Sequence, residues 1–382
     1  MLTLAFNVCD QTQSGLKEKV HVKDSFSIKS DNASAIYSVN LRSFIVKDTV
    51  WVSLLDPYSK KLSVLKYNEG RKKVVDAFEI PIPLKVLGRY GISSYCILNK
   101  DSVFLIPDNK KKEKRNTIFL IDGKKEVLHK WKFTDTLPNG YLNYELSSGS
   151  LTFSDNKLFG SLHRSGEGYK NDDGTYNLSN KLNYLYKYPS HFAVNIYDSS
   201  ITNPFADYPK YARSKDELYF ETPKHALNKK EKHIAFLFRR RPWIKLYNIE
   251  SGDHLETKKF NFNGYEKALP LNLDKGRNLG ESRRINDIKS SRFMSFKAGL
   301  NGERYYAVYE YPIENRESAD IVKGFSDKKK NVLVFNKNID LGKIHKINKS
   351  RRYHSVILPG KEGFFLVKRK HNEKFTMVYF GG

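Results

Sequence analysis

Positive charge in short runs is the chemical signal that stands out in this sequence. Lys60-Lys61, Lys110-Lys111-Lys112-Glu113-Lys114-Arg115, Arg164, Arg239-Arg240-Arg241, Lys328-Lys329-Lys330 and Lys368-Arg369-Lys370 recur along the chain, and Trp243 follows the arginine run after one proline. Guanidinium and ammonium groups gathered in this way suit phosphate, sulfate or carboxylate groups, and flat rings beside them stack on sugars or bases. The chain carries 67 Lys and Arg against 42 Asp and Glu, a formal net charge of +25. Such a balance favours anionic partners and raises their encounter rates. Lys111, Arg164, Arg239, Arg240, Arg241, Trp243, Lys329 and Arg369 are therefore the candidate ligand-binding residues. The bland alternative is a solvated surface whose lysines collect in exposed loops without any ligand.

Catalytic signatures are weak by comparison. Ser147-Ser148-Gly149-Ser150 lacks the flanking pattern of a nucleophile elbow. There is no His-Glu-x-x-His pair, Walker loop or dinucleotide fingerprint. Asn171-Asp172-Asp173-Gly174-Thr175-Tyr176 gathers oxygen ligands around a glycine, but it lacks the spaced set and distal Glu of a calcium loop. It reads as a polar turn. With only Cys9 and Cys96, neither a disulfide framework nor a Cys-based zinc site can form. The reading assigns no catalytic residue, no metal and no cofactor. Its rival is a hydrolase or lyase acting on polysaccharide, with paired carboxylates brought together from distant segments.

These residues must be positioned by strands. The chain is rich in Tyr and Phe, 24 of each, and has only 3 Met, a mix that favours β-structure. Six degenerate copies of a strand, polar loop, strand, turn and third strand follow one another. Val50-Trp51-Val52 leads to Val64-Leu65-Lys66-Tyr67, and Val103-Phe104-Leu105 leads to Ile118-Phe119-Leu120-Ile121. Four further copies reach Tyr197, Tyr247, Phe335 and Tyr379, taken as equivalent positions. The sixth copy ends after its third strand, and the alternating segment 19–28 can supply the missing outer one, pairing beside 375–380. The expected fold is an all-β, six-bladed β-propeller of four-stranded antiparallel blades, its ring closed by an N-terminal strand. Residues 1–18 are expected to be a tail or linker and 19–382 a single domain. Two successive β-sandwiches are the alternative. The basic runs fall on the loops joining the two strongest strands of each copy, so a propeller gathers them on one face.

The six copies, the cysteine near the N-terminus, and Gly360-Lys361-Glu362-Gly363-Phe364-Phe365-Leu366 followed by His371-Asn372-Glu373-Lys374-Phe375 resemble an uncharacterised family of six-bladed, TolB-like propeller lipoproteins from Bacteroides-type bacteria, DUF4221-like in pattern. The resemblance implies a propeller fold and a cell-envelope location, periplasmic or as an outer-membrane lipoprotein, with a cytoplasmic location as the alternative; it implies no reaction. Met1 to Val8 is a short apolar opening before Cys9, and a polar stretch follows, as at the end of a lipoprotein signal peptide. Cys9 is accordingly the expected lipidation site, on a mobile tail outside the core. The opening falls short of a full signal peptide, so a true start upstream of Met1 is part of the expectation. The expected protein is a monomeric, non-enzymatic binding module that recognises an anionic polymer or a protein. Nucleic acid is disfavoured as a partner, and membrane association would come through the lipid anchor.

Overall fold

The computed structural model describes residues 17–19, 22–29, 41–46, 49–56, 61–84, 86, 92–107, 117–132, 144–146, 151–164, 190–198, 201–205, 207–208, 223–270, 279–313, 328–347, 352–368 and 374–381. The chain opens with β1 (Lys17–Lys19) and β2 (Val22–Lys29). Blade 1 is β3 (Leu41–Val46), β4 (Thr49–Asp56), β5 (Lys61–Asn68) and β6 (Lys73–Pro81). Blade 2 is β7 (Ile92–Asn99), β8 (Ser102–Pro107), β9 (Thr117–Ile121) and β10 (Val127–Lys132). In blade 3 the inner position is shared by two short strands, β11 (Tyr144–Leu146) and β12 (Thr152–Ser154), which pair with opposite halves of β13 (Lys157–Arg164). The blade continues through β14 (His191–Asn195) and β15 (Ile201–Phe205).

Blade 4 is β16 (Lys224–Asn228), β17 (His233–Leu237), β18 (Trp243–Asn248) and β19 (His254–Lys259). A helix, α1 (Leu279–Lys289), precedes blade 5, which is β20 (Arg292–Ala298), β21 (Arg304–Glu310), β22 (Lys330–Asn336) and β23 (Leu341–Lys346). Blade 6 is β24 (Tyr353–Pro359), β25 (Gly363–Lys368) and β26 (Lys374–Gly381), completed by β2. These six sheets form the expected six-bladed propeller. Among the described residues no helix is long and apolar enough to cross a membrane.

Each strand pattern follows from its place between two apolar layers. The second and third strands of a blade are covered on both faces, and β8 and β22 read as nearly continuous apolar runs for that reason. The outer strands β6, β10 and β19 have a free face and carry charge along it. Six apolar clusters fill the interfaces between successive blades. One joins Trp51 and Leu62 of blade 1 to Tyr95 and Phe119 of blade 2. Another joins Tyr67 and Val52 of blade 1 to Phe365 and Tyr379 of blade 6.

The closure pairs the expected segments: β2 lies antiparallel to β26, with Val22 opposite Phe380 and Ile28 opposite Phe375. Beyond this, β1 lies parallel to β23 as a fifth strand of blade 5. Two assignments of the repeat need correction: in blade 6 the residue packed against the preceding blade is Phe380, opposite Phe364, whereas Tyr379 packs with Tyr67 of blade 1. Val50 faces Tyr67 across β4 and β5, and in blade 3 the corresponding Leu158 faces Val194, not Tyr197. Tyr197 lies past the end of β14 and is 77% exposed. Matching by aromatic type displaced the phase by three residues there, because the ladder is set by backbone pairing and not by side-chain kind.

Candidate anion site in the central channel

The inner strands surround a cavity of about 610 Å³ on the propeller axis, to which every blade contributes: Arg42 from β3, Tyr95 from β7, Phe153 from β12, His225 from β16, Lys297 from β20 and Leu358 from β24. The turns that follow β16 and β20 bring Lys229, Lys230, Asn301 and Gly302 to its wall. Gly302 has φ +78°, and a Cβ there would meet Asn228 Oδ1 and Lys230 Cβ at 2.8 Å, so this tight turn requires glycine. Asn228 Nδ2 donates to Gly302 O at 2.8 Å and ties the two turns together. No Asp or Glu lines the cavity among the described residues.

Arg42 is held from the neighbouring blade. Its Nη2 donates to Ser94 Oγ at 3.1 Å, and its guanidinium lies 5.4 Å from the centre of the Tyr95 ring. The Tyr95 hydroxyl is itself fixed by Ser53, 3.0 Å from Oγ and donating to the carbonyl at 3.2 Å. Burial lowers the Lys297 ammonium to a pKa of about 7, and the nearby charges of Arg42 and Lys224 push in the same direction. Like charges have been brought together in a confined, poorly hydrated space, which favours an anion among them.

A chain of hydrogen bonds runs from blade 3 to the cavity wall. Ser190 Oγ lies 2.7 Å from His191 Nδ1, and His191 Nε2 lies 3.1 Å from His225 Nδ1. His225 Nε2 is buried and has no hydrogen-bond partner among the described residues. Burial lowers both histidines, His191 to about 3 and His225 well below the ordinary imidazole range, where His191, Lys297, Arg42 and Lys224 add to the effect. Both rings are therefore neutral at pH 7. If the Ser190 hydroxyl donates to His191, then His191 Nε2 carries a proton that His225 Nδ1 at 3.1 Å and Ser161 Oγ at 3.3 Å can both accept; donated to His225, it leaves His225 Nε2 protonated for a further acceptor. Cys96 also lines the cavity, but burial raises its thiol to about 11, which leaves it protonated and a poor nucleophile.

Of the basic residues singled out from sequence, Arg239, Arg240, Arg241 and Lys329 do not line the cavity. Antiparallel order puts the described second-to-third connection, the Arg239–Arg241 turn, at the end of its blade opposite the turn that follows β16. The Arg239–Arg241 turn was expected to be exposed and is not: Arg239 is 6% and Arg240 1% exposed. Both pair with Asp287 of α1, at 2.9 and 2.5 Å, and Arg292 joins the same carboxylate at 3.0 Å. The counter-charge comes from α1, in the connection between blades 4 and 5.

Arg241 and Trp243 are half-buried, with Lys259 Nζ 4.7 Å from the Trp243 ring centre. Lys329 is exposed, whereas Lys328 and Lys330 beside it are buried. Arg164 ends β13, and its side chain, together with Lys111, Arg369 and Cys9, lies outside the described residues. The cavity residues Arg42, His225 and Lys297 belong to none of the basic runs. Their signal is a polar residue interrupting a short apolar strand, as in Leu41-Arg42-Ser43-Phe44-Ile45 and Ser295-Phe296-Lys297-Ala298.

Fold and site together define a six-bladed propeller with a cationic axial cavity. By sequence, no protein-family profile and no curated protein matches the chain. By structure, the chain is similar to a member of the DUF4221 family from Bacteroides vulgatus, with a TM-score of 0.66 and 11% identity over 95% of this chain and 97% of that one. This bears out the resemblance at the level of fold. Myceliophteria thermophila Cps50 (Swd1), a β-propeller domain, aligns with a TM-score of 0.42 and 7% identity over 94% of this chain and 99% of that one.

Proposed function

We propose that this protein is a non-enzymatic binding module whose central channel takes up an anionic ligand. The observation that carries the reading is the charge of the cavity wall: Arg42, Lys229 and Lys297 line it with Lys230, which is ion-paired to Glu303, and no carboxylate lines it among the described residues. A polysaccharide hydrolase working through two carboxylates would need an acid pair at the scissile bond, and the cavity favours binding over that alternative. The resemblance to propeller lipoproteins supports a cell-envelope location with Cys9 as the anchor. The cavity volume suits a small molecule; a polymer or protein partner would instead engage the opposite rim, where Lys329 is exposed.

Thermal unfolding in low salt, with a panel of carboxylates, phosphate, sulfate and a heparin oligosaccharide, tests the reading. A ligand that binds only the folded chain raises its melting temperature. At least one small anion is expected to stabilise the wild type but not an Arg42→Gln, Lys297→Met double variant. Stabilisation by heparin alone, reduced by Arg241→Ser with Lys329→Ser but unaffected by the channel substitutions, would move the site to the other rim. No stabilisation by any anion would overturn the reading.

A further inference from the structure

We infer that the channel ligand is a small amphipathic carboxylate, an acid with an apolar body, whose carboxylate sits among Arg42, Lys297 and His225. This rests on the channel-binding reading and adds the chemical class of the ligand. Two features of the wall carry it. The polar groups are concentrated on β3, β16 and β20, while Ile97, Leu98, Phe153, Leu300 and Leu358 supply an apolar surface around the rest of the cavity. A wholly hydrophilic anion such as phosphate would leave that surface wet, whereas an acyl chain or ring would cover it.

The polar end is suited to a planar carboxylate. A guanidinium presents parallel N–H donors that match two carboxylate oxygens, and Arg42 is oriented for the task by Ser94 and by the Tyr95 ring. His225 adds a second kind of signal, a buried imidazole nitrogen in the cavity wall without a hydrogen-bond partner among the described residues. An orphaned buried nitrogen is costly, and a carboxylate oxygen would satisfy it in the tautomer that the Ser190 and His191 chain can impose. The cations on the same wall would balance the ligand's charge.

Isothermal titration of the full chain at pH 7 with octanoate, decanoate, decanol and inorganic phosphate, each organic probe below its micellar concentration, tests the assignment. Decanoate is expected to bind, and to bind more tightly than octanoate by about fourfold for each added methylene buried. Decanol and phosphate should each be at least tenfold weaker. Arg42→Gln should cost decanoate at least tenfold; should that variant fail to fold, Lys297→Met at the same pH is the second reading of the polar end.

Phosphate binding as tightly as decanoate would overturn the amphipathic class while leaving the anion-binding channel in place. Decanol binding as tightly as decanoate would show an apolar cavity without anion recognition and would overturn both. Decanoate binding equally to wild type and to both variants would place the acid elsewhere on the molecule and would also overturn both. Failure of octanoate and decanoate to bind would overturn the inference, and the thermal panel would then decide the broader reading by itself.

Discussion

Lys297 holds its proton weakly because burial strips water from the ammonium, and Arg42 and Lys224 repel it, bringing the pKa to about 7 from the ordinary 10.5. Between those two values the unfolded chain carries a proton that the folded chain has given up, so this residue makes stability rise with pH across that window. The gradient is at most about 1.4 kcal/mol per pH unit. A bound anion prefers the charged ammonium, so affinity should fall over the same range. Urea unfolding at pH 7 and pH 9 should show a rise in stability for the wild type that is smaller for Lys297→Met; identical gradients would mean that the amine is hydrated in the folded state. The histidines act on the acid side. Because His191 and His225 are lowered, the stability they contribute is full above about pH 6.5 and is lost as pH falls towards 3, the value for His191.

At the scale of elements, α1 with the turn beneath it is where reading by local pattern failed. A run of three arginines between two strands reads as a solvated hairpin, since loops lie on the surface. Here Asp287 lies at the end of a long inter-blade connection and draws Arg239, Arg240 and Arg292 inward around one carboxylate. Arg292 also pairs with Glu310 at 2.7 Å. Burial would raise the Glu310 carboxyl, but Arg292, Lys328 and Lys330 outweigh it and hold it at about 2. Asp287→Asn removes the charge that three buried guanidiniums share and is expected to destabilise the fold by about 3–5 kcal/mol. Lys329→Ser, on the exposed neighbour of the same rim, should change stability by about 0.5 kcal/mol or less. Equal midpoints for the two variants in denaturant would show that the cluster contributes nothing to holding α1.

At the scale of the whole molecule, the ring is closed by pairing between its two ends. β2 completes blade 6 along β26 from Val22 opposite Phe380 to Lys29 opposite Lys374, and β1 adds to the outer edge of blade 5. Without residues 1–29, β26 would present an open row of backbone donors and acceptors, a template for association between chains. The truncated chain is expected to unfold at a lower temperature and to run as larger species on gel filtration. A truncated chain that melts and elutes like the full one would show that the ring closes through side-chain packing alone.

The number of blades, their strand order and the closure were legible because they rest on local signals. The second and third strands are buried on both faces and so carry dense apolar runs, polar turns separate them, and a copy short of one strand implies a donor at the other end of the chain. The inner strands carry no comparable signal: each presents its edge to the axis, where polar residues are tolerated, so Arg42, His225 and Lys297 read as interruptions of short, weak strands. Which residues face the axis, and which cations share one cavity, was decided only by the tertiary structure. Coulomb interaction, desolvation and hydrogen bonding depend on distance in space, and it is the closing of the ring that converts positions far apart in sequence into neighbours around one channel, while turning the most conspicuous arginine run into a buried clamp.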